Sequence, residues 1–163
     1  MLDTYETVVR MWEQFCKLHS DIYDMTCAEY NALLASDLEA IEEILEKKNL
    51  LLEQVSRLDY QRAQLISDIH QNLGSASEPI TRVSDLLRLM AKYEEKNGSR
   101  ILERYNLLLI DMIEKIKEQN KNNQIFLNKA IHSLDDLKKA FEGKKTYQTY
   151  GANGKTVRNV TQK

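Results

Sequence analysis

The sequence has little of what interrupts a helix. Its 163 residues include one proline and five glycines, and three of those glycines come after residue 142. Proline and glycine are the residues that destabilise a helix interior most, so long stretches are free to be helical. No apolar run approaches the roughly 18 residues of a membrane-spanning helix, so we expect no direct membrane insertion. The first ten residues lack the basic start and apolar core of a signal peptide, which predicts a cytoplasmic protein.

Cysteine is scarce, and its spacing argues against a disulfide. Cys16 and Cys27 are the only two cysteines. On one helix they would share a face about 16 Å apart, too far for a bond between them. We interpret both as small buried core residues in a reducing compartment rather than as redox groups.

Catalytic and metal-binding patterns are missing as well. His19, His70 and His132 lie on different predicted helices, without cysteines or carboxylates at ligand spacing. No phosphate loop, nucleophile elbow or paired catalytic carboxylates occur. We therefore predict that the protein is not an enzyme and has no cofactor and no metal.

Charge is unevenly distributed. Residues 143–163 contain five basic residues and no acid, while the first 142 residues have a net charge of −7. An acidic body would repel phosphate, so we expect no nucleic-acid partner. The contrast predicts two regions with different roles, a helical domain over 1–142 and a flexible basic tail over 143–163.

Apolar residues at steps of three and four predict two long helices in the first half. The first covers about 2–35 and the second about 37–72, the latter with near-heptad spacing. Ser36, followed by Glu39, matches a capping box. Ser36 either starts the second helix after a tight break or lies within one bent helix, and we favour the break. The predicted stripe of the second helix contains Leu38, Ile41, Leu45, Leu52, Val55, Leu58, Leu65 and Ile69.

Two further helices are predicted in the second half. Gly74 fits a helix end and Pro79 the first turn of a short helix over about 80–93. Ser99 fits the N-cap of a last helix that runs to about Phe141. The predicted fold class is therefore all-α: an elongated antiparallel bundle of long helices with coiled-coil-like packing, a short helix and a flexible C-terminal tail.

A polar stretch interrupts the stripe of the last helix. Residues 119–124 read Gln-Asn-Lys-Asn-Asn-Gln where apolar residues are expected. Buried amides would form a polar layer that fixes helix register. Alternatively, the stretch faces solvent and the stripe pauses. The sequence favours neither.

Three parts of the chain together resemble the FlgN family of flagellar type III export chaperones. Residues 32–62 resemble the family's leucine pattern, with Lys48 before three leucines and Arg62 at the end. Residues 120–141 resemble its Asn-x-x-Asn-x-x-Leu-Leu arrangement, with Phe126 in place of the first leucine. The stretch from Tyr150 to Gly154 resembles its Tyr-Gly-x-x-Gly tail.

The resemblance implies two kinds of partner. FlgN-like proteins bind the C-terminal helical segments of the two hook–filament junction proteins, prevent their premature association and deliver them to the export apparatus. The family's tail tyrosine is implicated in docking to the cytoplasmic domain of the membrane export gate protein. Here the corresponding docking residues are Tyr150, Gly151 and Gly154. The alternative is an unstructured tail without a role.

The apolar face of the last helix is our predicted client-binding site. Its residues are Phe126, Leu127, Ile131, Leu134 and Phe141. The alternative is that they belong to the ordinary core. Two other interpretations of the whole chain stay open: a structural, self-associating coiled coil, or another export escort without client specificity. A weak homodimer is compatible with the chaperone interpretation.

Overall fold

The computed structural model describes residues 1–73, 80–143, 149–150 and 156–157. These residues are almost all helical, and the helices pack together, which confirms the all-α bundle. The chain divides into two compact units, Met1–Asn123 and Gln124–Lys163. The elements are α1 (Leu2–Ala35), α2 (Leu38–Leu73), α3 (Val83–Asn97), α4 (Ile101–Gly143), β1 (Thr149–Tyr150) and β2 (Thr156–Val157).

The predicted break between the first two helices is correct, but Ser36 does not cap the second helix. Ser36 has φ 55° and ends α1 in the left-handed conformation. The amide of Ser36 bonds to the carbonyl of Leu33 and that of Asp37 to Ala32, which is a Schellman ending. Asp37 caps α2 instead, because its carboxylate accepts from the amide of Ala40 at 3.1 Å.

The short helix α3 begins and ends later than predicted. It starts at Val83, where the Asp85 carboxylate accepts from the amide of Arg82 at 3.0 Å. Pro79 lies outside the described residues, and a start at Val83 rules it out of the first turn. Gly98, with φ 64°, ends the helix in the left-handed conformation. Ser99 is not the N-cap of α4, which begins at Ile101.

The core of the first unit lies where α1, α3 and α4 pack with the C-terminal half of α2. Trp12, Leu86 and Met90 are at most 1% exposed. Cys16 is buried as predicted and Cys27 is half-buried, and both are free thiols. The whole cluster comprises Tyr5, Val8, Met11, Trp12, Phe15, Cys16, Leu58, Ile66, Ile69, Ile80, Leu86, Met90, Leu102 and Leu109.

The predicted stripe of α2 is only partly buried. Leu58 and Ile69 belong to the core, whereas Leu38, Leu45 and Leu52 are exposed. Heptad spacing predicted that all of these residues share one side of α2. Only one edge of that side contacts the rest of the bundle, so the leucines along the other edge are exposed.

None of the helices in the described part of the chain is long and apolar enough to span a membrane.

The second unit contains the end of α4 and a strand pair that was not predicted. β1 and β2 are antiparallel, with Thr149 opposite Val157 and Tyr150 opposite Thr156. Threonine, tyrosine and valine are residue types that favour strands. Most of residues 143–163 lie outside the described residues, so the flexible tail and the boundary at residue 142 stay predictions.

Candidate functional site

The five predicted client-binding residues all lie on the C-terminal part of α4, in the second unit. Ile131, Leu134 and Phe141 are 54%, 65% and 72% exposed. Phe126 and Leu127 are half-buried. The exposed three are therefore not core residues, which removes the alternative interpretation for them. Their role in binding stays a prediction.

One residue of this surface was missed. Leu137 is 55% exposed and lies between Leu134 and Phe141 on the same side of the helix. Its spacing of three from Leu134 is the signal that could have included it. We call the set the distal α4 stripe. It consists of Phe126, Leu127, Ile131, Leu134, Leu137 and Phe141.

The distal α4 stripe is an apolar row along one side of the helix. From Leu127 to Phe141 it extends about 21 Å, and it covers roughly a third of the helix circumference. The opposite side carries charges, with Lys129, Asp136 and Lys139 at exposed positions. Monomeric proteins rarely leave large contiguous apolar patches in water, so this row is a candidate binding surface. An amphipathic helix of a partner is the element that fits it.

A polar layer lies in the first unit, immediately before this stripe in the sequence. Asn123 is 3% exposed, and its side-chain amide donates to the carbonyl of Thr26 on α1 at 3.0 Å. Gln119 donates to the same Asn123 side chain at 2.9 Å. Of the two interpretations of residues 119–124, the buried layer is therefore correct for Asn123, whereas Gln119 is half-buried.

An ion pair extends the layer to α2. Lys48 contacts Glu29 on α1 at 2.7 Å, and both side chains are only 13% exposed. The Lys48 ammonium also donates to the amide oxygen of Asn120 at 3.1 Å. Two residues that carry the family resemblance, Lys48 and Asn123, thus contact α1. A third, Asn120, contacts Lys48. No motif in the sequence predicted contacts at Thr26 and Glu29 of α1.

Arg62, another residue of the family pattern, contacts the core aromatics. The guanidinium of Arg62 lies 5.1 Å from the ring centre of Phe15 and 6.0 Å from that of Trp12. The indole nitrogen of Trp12 in turn donates to Asn106 on α4 at 3.1 Å. Arg62 also pairs with Asp59. These contacts give Arg62 a packing role between α2 and α1.

The start of α4 is held by a buried carboxylate from α3. Glu94 is 4% exposed and accepts from the amides of Leu102 at 2.7 Å and Glu103 at 3.3 Å. It also accepts from the Tyr5 hydroxyl of α1 at 2.6 Å. Burial raises the pKa of Tyr5 above its usual value, and this hydrogen bond makes the next largest contribution to the increase. Ser99 contacts the same hydroxyl at 3.2 Å instead of capping α4. A single glutamate in the sequence matches no motif that would predict this capping role.

The predicted gate-docking residues are only partly described. Tyr150 is the last residue of β1 and pairs with Thr156. Gly151 and Gly154 lie outside the described residues. Within the described part of the chain, no three metal-ligating side chains come together.

The fold and the surface together define a class: a helical bundle whose last helix carries an exposed apolar row. The chain matches the family described as FlgN protein over residues 1–158, and it belongs to that family. FlgN proteins are chaperones of flagellar biogenesis. Neither the curated proteins nor the solved structures gave a match to this chain.

Proposed function

We propose that this chain is a cytoplasmic chaperone that binds the C-terminal helical segments of the two hook–filament junction proteins. Membership of the FlgN family supports the general role. The exposure of the distal α4 stripe is the observation that supports the specific role, binding of the junction-protein helices. Subunits that assemble through paired terminal helices need those helices masked beforehand, and a 21 Å apolar helix face can pair with one of them. The role requires no catalysis and no cofactor.

Delivery to the export gate is the second part of the proposal. Tyr150 is the proposed anchor, with Gly151 and Gly154 beside it. An aromatic ring supplies a large contact area at little entropic cost, and the five basic residues of the tail speed encounter with an acidic surface. The proposed partner is the cytoplasmic domain of the export gate protein.

Titration calorimetry tests the client role. The full chain is titrated with peptides from the last 40 or so residues of each junction protein of the same organism. We expect 1:1 binding at roughly micromolar affinity or tighter, with the negative heat-capacity change of buried apolar surface. No heat with either peptide, together with a stable homodimer of this chain, would contradict the proposal and favour a structural coiled coil.

A single substitution distinguishes client binding from docking to the export gate. Tyr150→Ala should leave the affinity for both client peptides unchanged, because Tyr150 lies outside the stripe. The same substitution should weaken binding to the purified cytoplasmic domain of the gate protein by about tenfold or more, as expected for an aromatic anchor. Tyr60→Ala, at an exposed tyrosine of α2, is the matched control. Equal gate binding by both variants would rule Tyr150 out as the anchor.

A further inference from the structure

The N-terminal half of α2 has an apolar row that the fold leaves exposed. Leu38, Leu45 and Leu52 are 74%, 41% and 47% exposed. Their spacing of seven keeps them on one side of the helix. Lys48 and Val55, which lie next to this row, are half-buried and directed toward the bundle. We call Leu38, Leu45 and Leu52 the α2 outer row.

Carboxylates line one side of the α2 outer row. Glu39, Glu42 and Glu46 are exposed and lie about 40 to 100° around the helix from Leu38. Among the described residues, none of these three glutamates has an ion-pair partner. The neighbouring Glu43, by contrast, pairs with Lys47 at 2.6 Å. We call Glu39, Glu42 and Glu46 the acidic row.

The α2 outer row and the acidic row together indicate which kind of partner would bind here. Uncompensated carboxylates repel phosphate, which argues against nucleic acids and anionic lipid surfaces. The α2 outer row extends about 21 Å, the length of four helical turns. A basic helix with one apolar face would cover the leucines and neutralise the glutamates. We propose that the N-terminal half of α2 binds a basic amphipathic helix of another protein.

This surface consists of different residues from the proposed client site. It lies on α2 in the first unit, whereas the distal α4 stripe lies in the second. Its partner needs leucines or isoleucines at heptad spacing over about 15 residues, with lysines or arginines along one flank. Three leucines and three carboxylates make a small surface. We therefore expect a dissociation constant of roughly 1 to 100 μM that rises steeply with salt.

A pair of designed peptides tests the surface. The probe is a fluorescein-labelled 18-residue (about five turns) amphipathic helix with leucine at its heptad core positions and lysine at the flanks. The matched peptide has glutamate in place of each lysine. Fluorescence anisotropy is recorded with the full chain at low and high salt. We expect the basic peptide to bind at least about tenfold more tightly, with the advantage lost at high salt.

Two independent variants locate the binding site. Leu45→Gln with Leu52→Gln removes most of the apolar row, and Glu42→Gln with Glu46→Gln removes most of the charge. Glutamine is a good helix former, so both double variants should keep the helical circular dichroism of the parent. Each should weaken binding of the basic peptide by at least about fivefold, since each removes one of the two contributions.

Matched controls lie on α4. Leu107→Gln with Leu108→Gln alters leucines that are 60% and 45% exposed. Asp135→Asn with Asp136→Asn removes two exposed carboxylates. Both double variants should bind the basic peptide like the parent chain. Weakening by these controls as great as by the α2 variants would overturn the assignment to α2.

Other outcomes would also overturn the proposal. Equal binding of the basic and acidic peptides would show that charge does not select the partner. A parent dimer that Leu45→Gln with Leu52→Gln converts to a monomer, measured by sedimentation velocity, would show that a second copy covers the row. Titrating the client peptides against the parent and the same variants distinguishes this proposal from the proposed chaperone function. If neither the parent nor any variant binds a client peptide, the proposed function is contradicted, whereas the proposal for α2 is unaffected.

Discussion

The side-chain amide of Asn123 on α4 donates a 3.0 Å hydrogen bond to the main-chain carbonyl of Thr26 on α1. Both residues are at most 3% exposed. The Asn123 oxygen accepts from Gln119, so the buried amide is paired at both ends. Sliding α4 along α1 by one residue would leave that amide buried without a partner, which is costly. Asn123 therefore favours one register of α4 against α1.

Removing this amide should destabilise the first unit. Asn123→Ala loses the hydrogen bond and leaves a small cavity, so we expect a loss of about 1–2 kcal/mol in the free energy of unfolding. Asn122→Ala, at the exposed neighbouring position, is the control because it gains the same helix propensity. Urea unfolding followed by circular dichroism measures both. Equal stability of the two variants would show that the polar layer contributes nothing.

The Tyr5–Glu94 hydrogen bond should make stability depend on alkaline pH. Burial and Glu94 raise the pKa of Tyr5 in the folded protein, whereas in the unfolded chain it is about 10. The folded state therefore holds this proton more tightly. The resulting stabilisation is complete below pH about 10 and is lost as the pH rises through the folded-state pKa.

Tyr5→Phe isolates this contribution. At neutral pH it should cost about 1–3 kcal/mol, because it removes a hydrogen bond to a buried carboxylate. The stability difference between parent and variant should shrink above pH about 10. Tyr60→Phe, at a tyrosine that is 65% exposed, should show neither effect. Urea unfolding across this pH range measures all three proteins, and a difference that stays constant with pH would contradict the linkage.

Removing two large apolar side chains from the distal α4 stripe should weaken client binding without unfolding the chain. Leu134→Ala with Phe141→Ala removes side chains that are 65% and 72% exposed, so we expect less than about 1 kcal/mol of lost stability. The affinity for the junction-protein peptides should fall by about tenfold or more. Leu107→Ala with Leu108→Ala, on the first-unit part of α4, is the control. Client binding by the stripe variant as tight as that of the parent would contradict the assignment of the client site.

Local signals predicted the helices well. Apolar spacing located all four, and the break at Ser36 is as expected. The capping residues were harder to predict. Ser36 and Ser99 both match N-cap patterns, yet the carboxylates of Asp37 and Glu94 occupy those roles. Glu94 is eight residues from the amide of Leu102 that it binds, so no local pattern could select it.

The sequence by itself determined which residues form helices and which side of each helix is apolar, because both follow from the 3.6-residue period. It also contained the patterns that relate the chain to the FlgN family. Only the tertiary structure decided which apolar residues are covered. Leu58 and Leu45 have the same chemistry on the same helix, yet one is 6% exposed and the other 41%. Spacing fixes the direction in which a side chain points, whereas burial depends on whether another helix lies there.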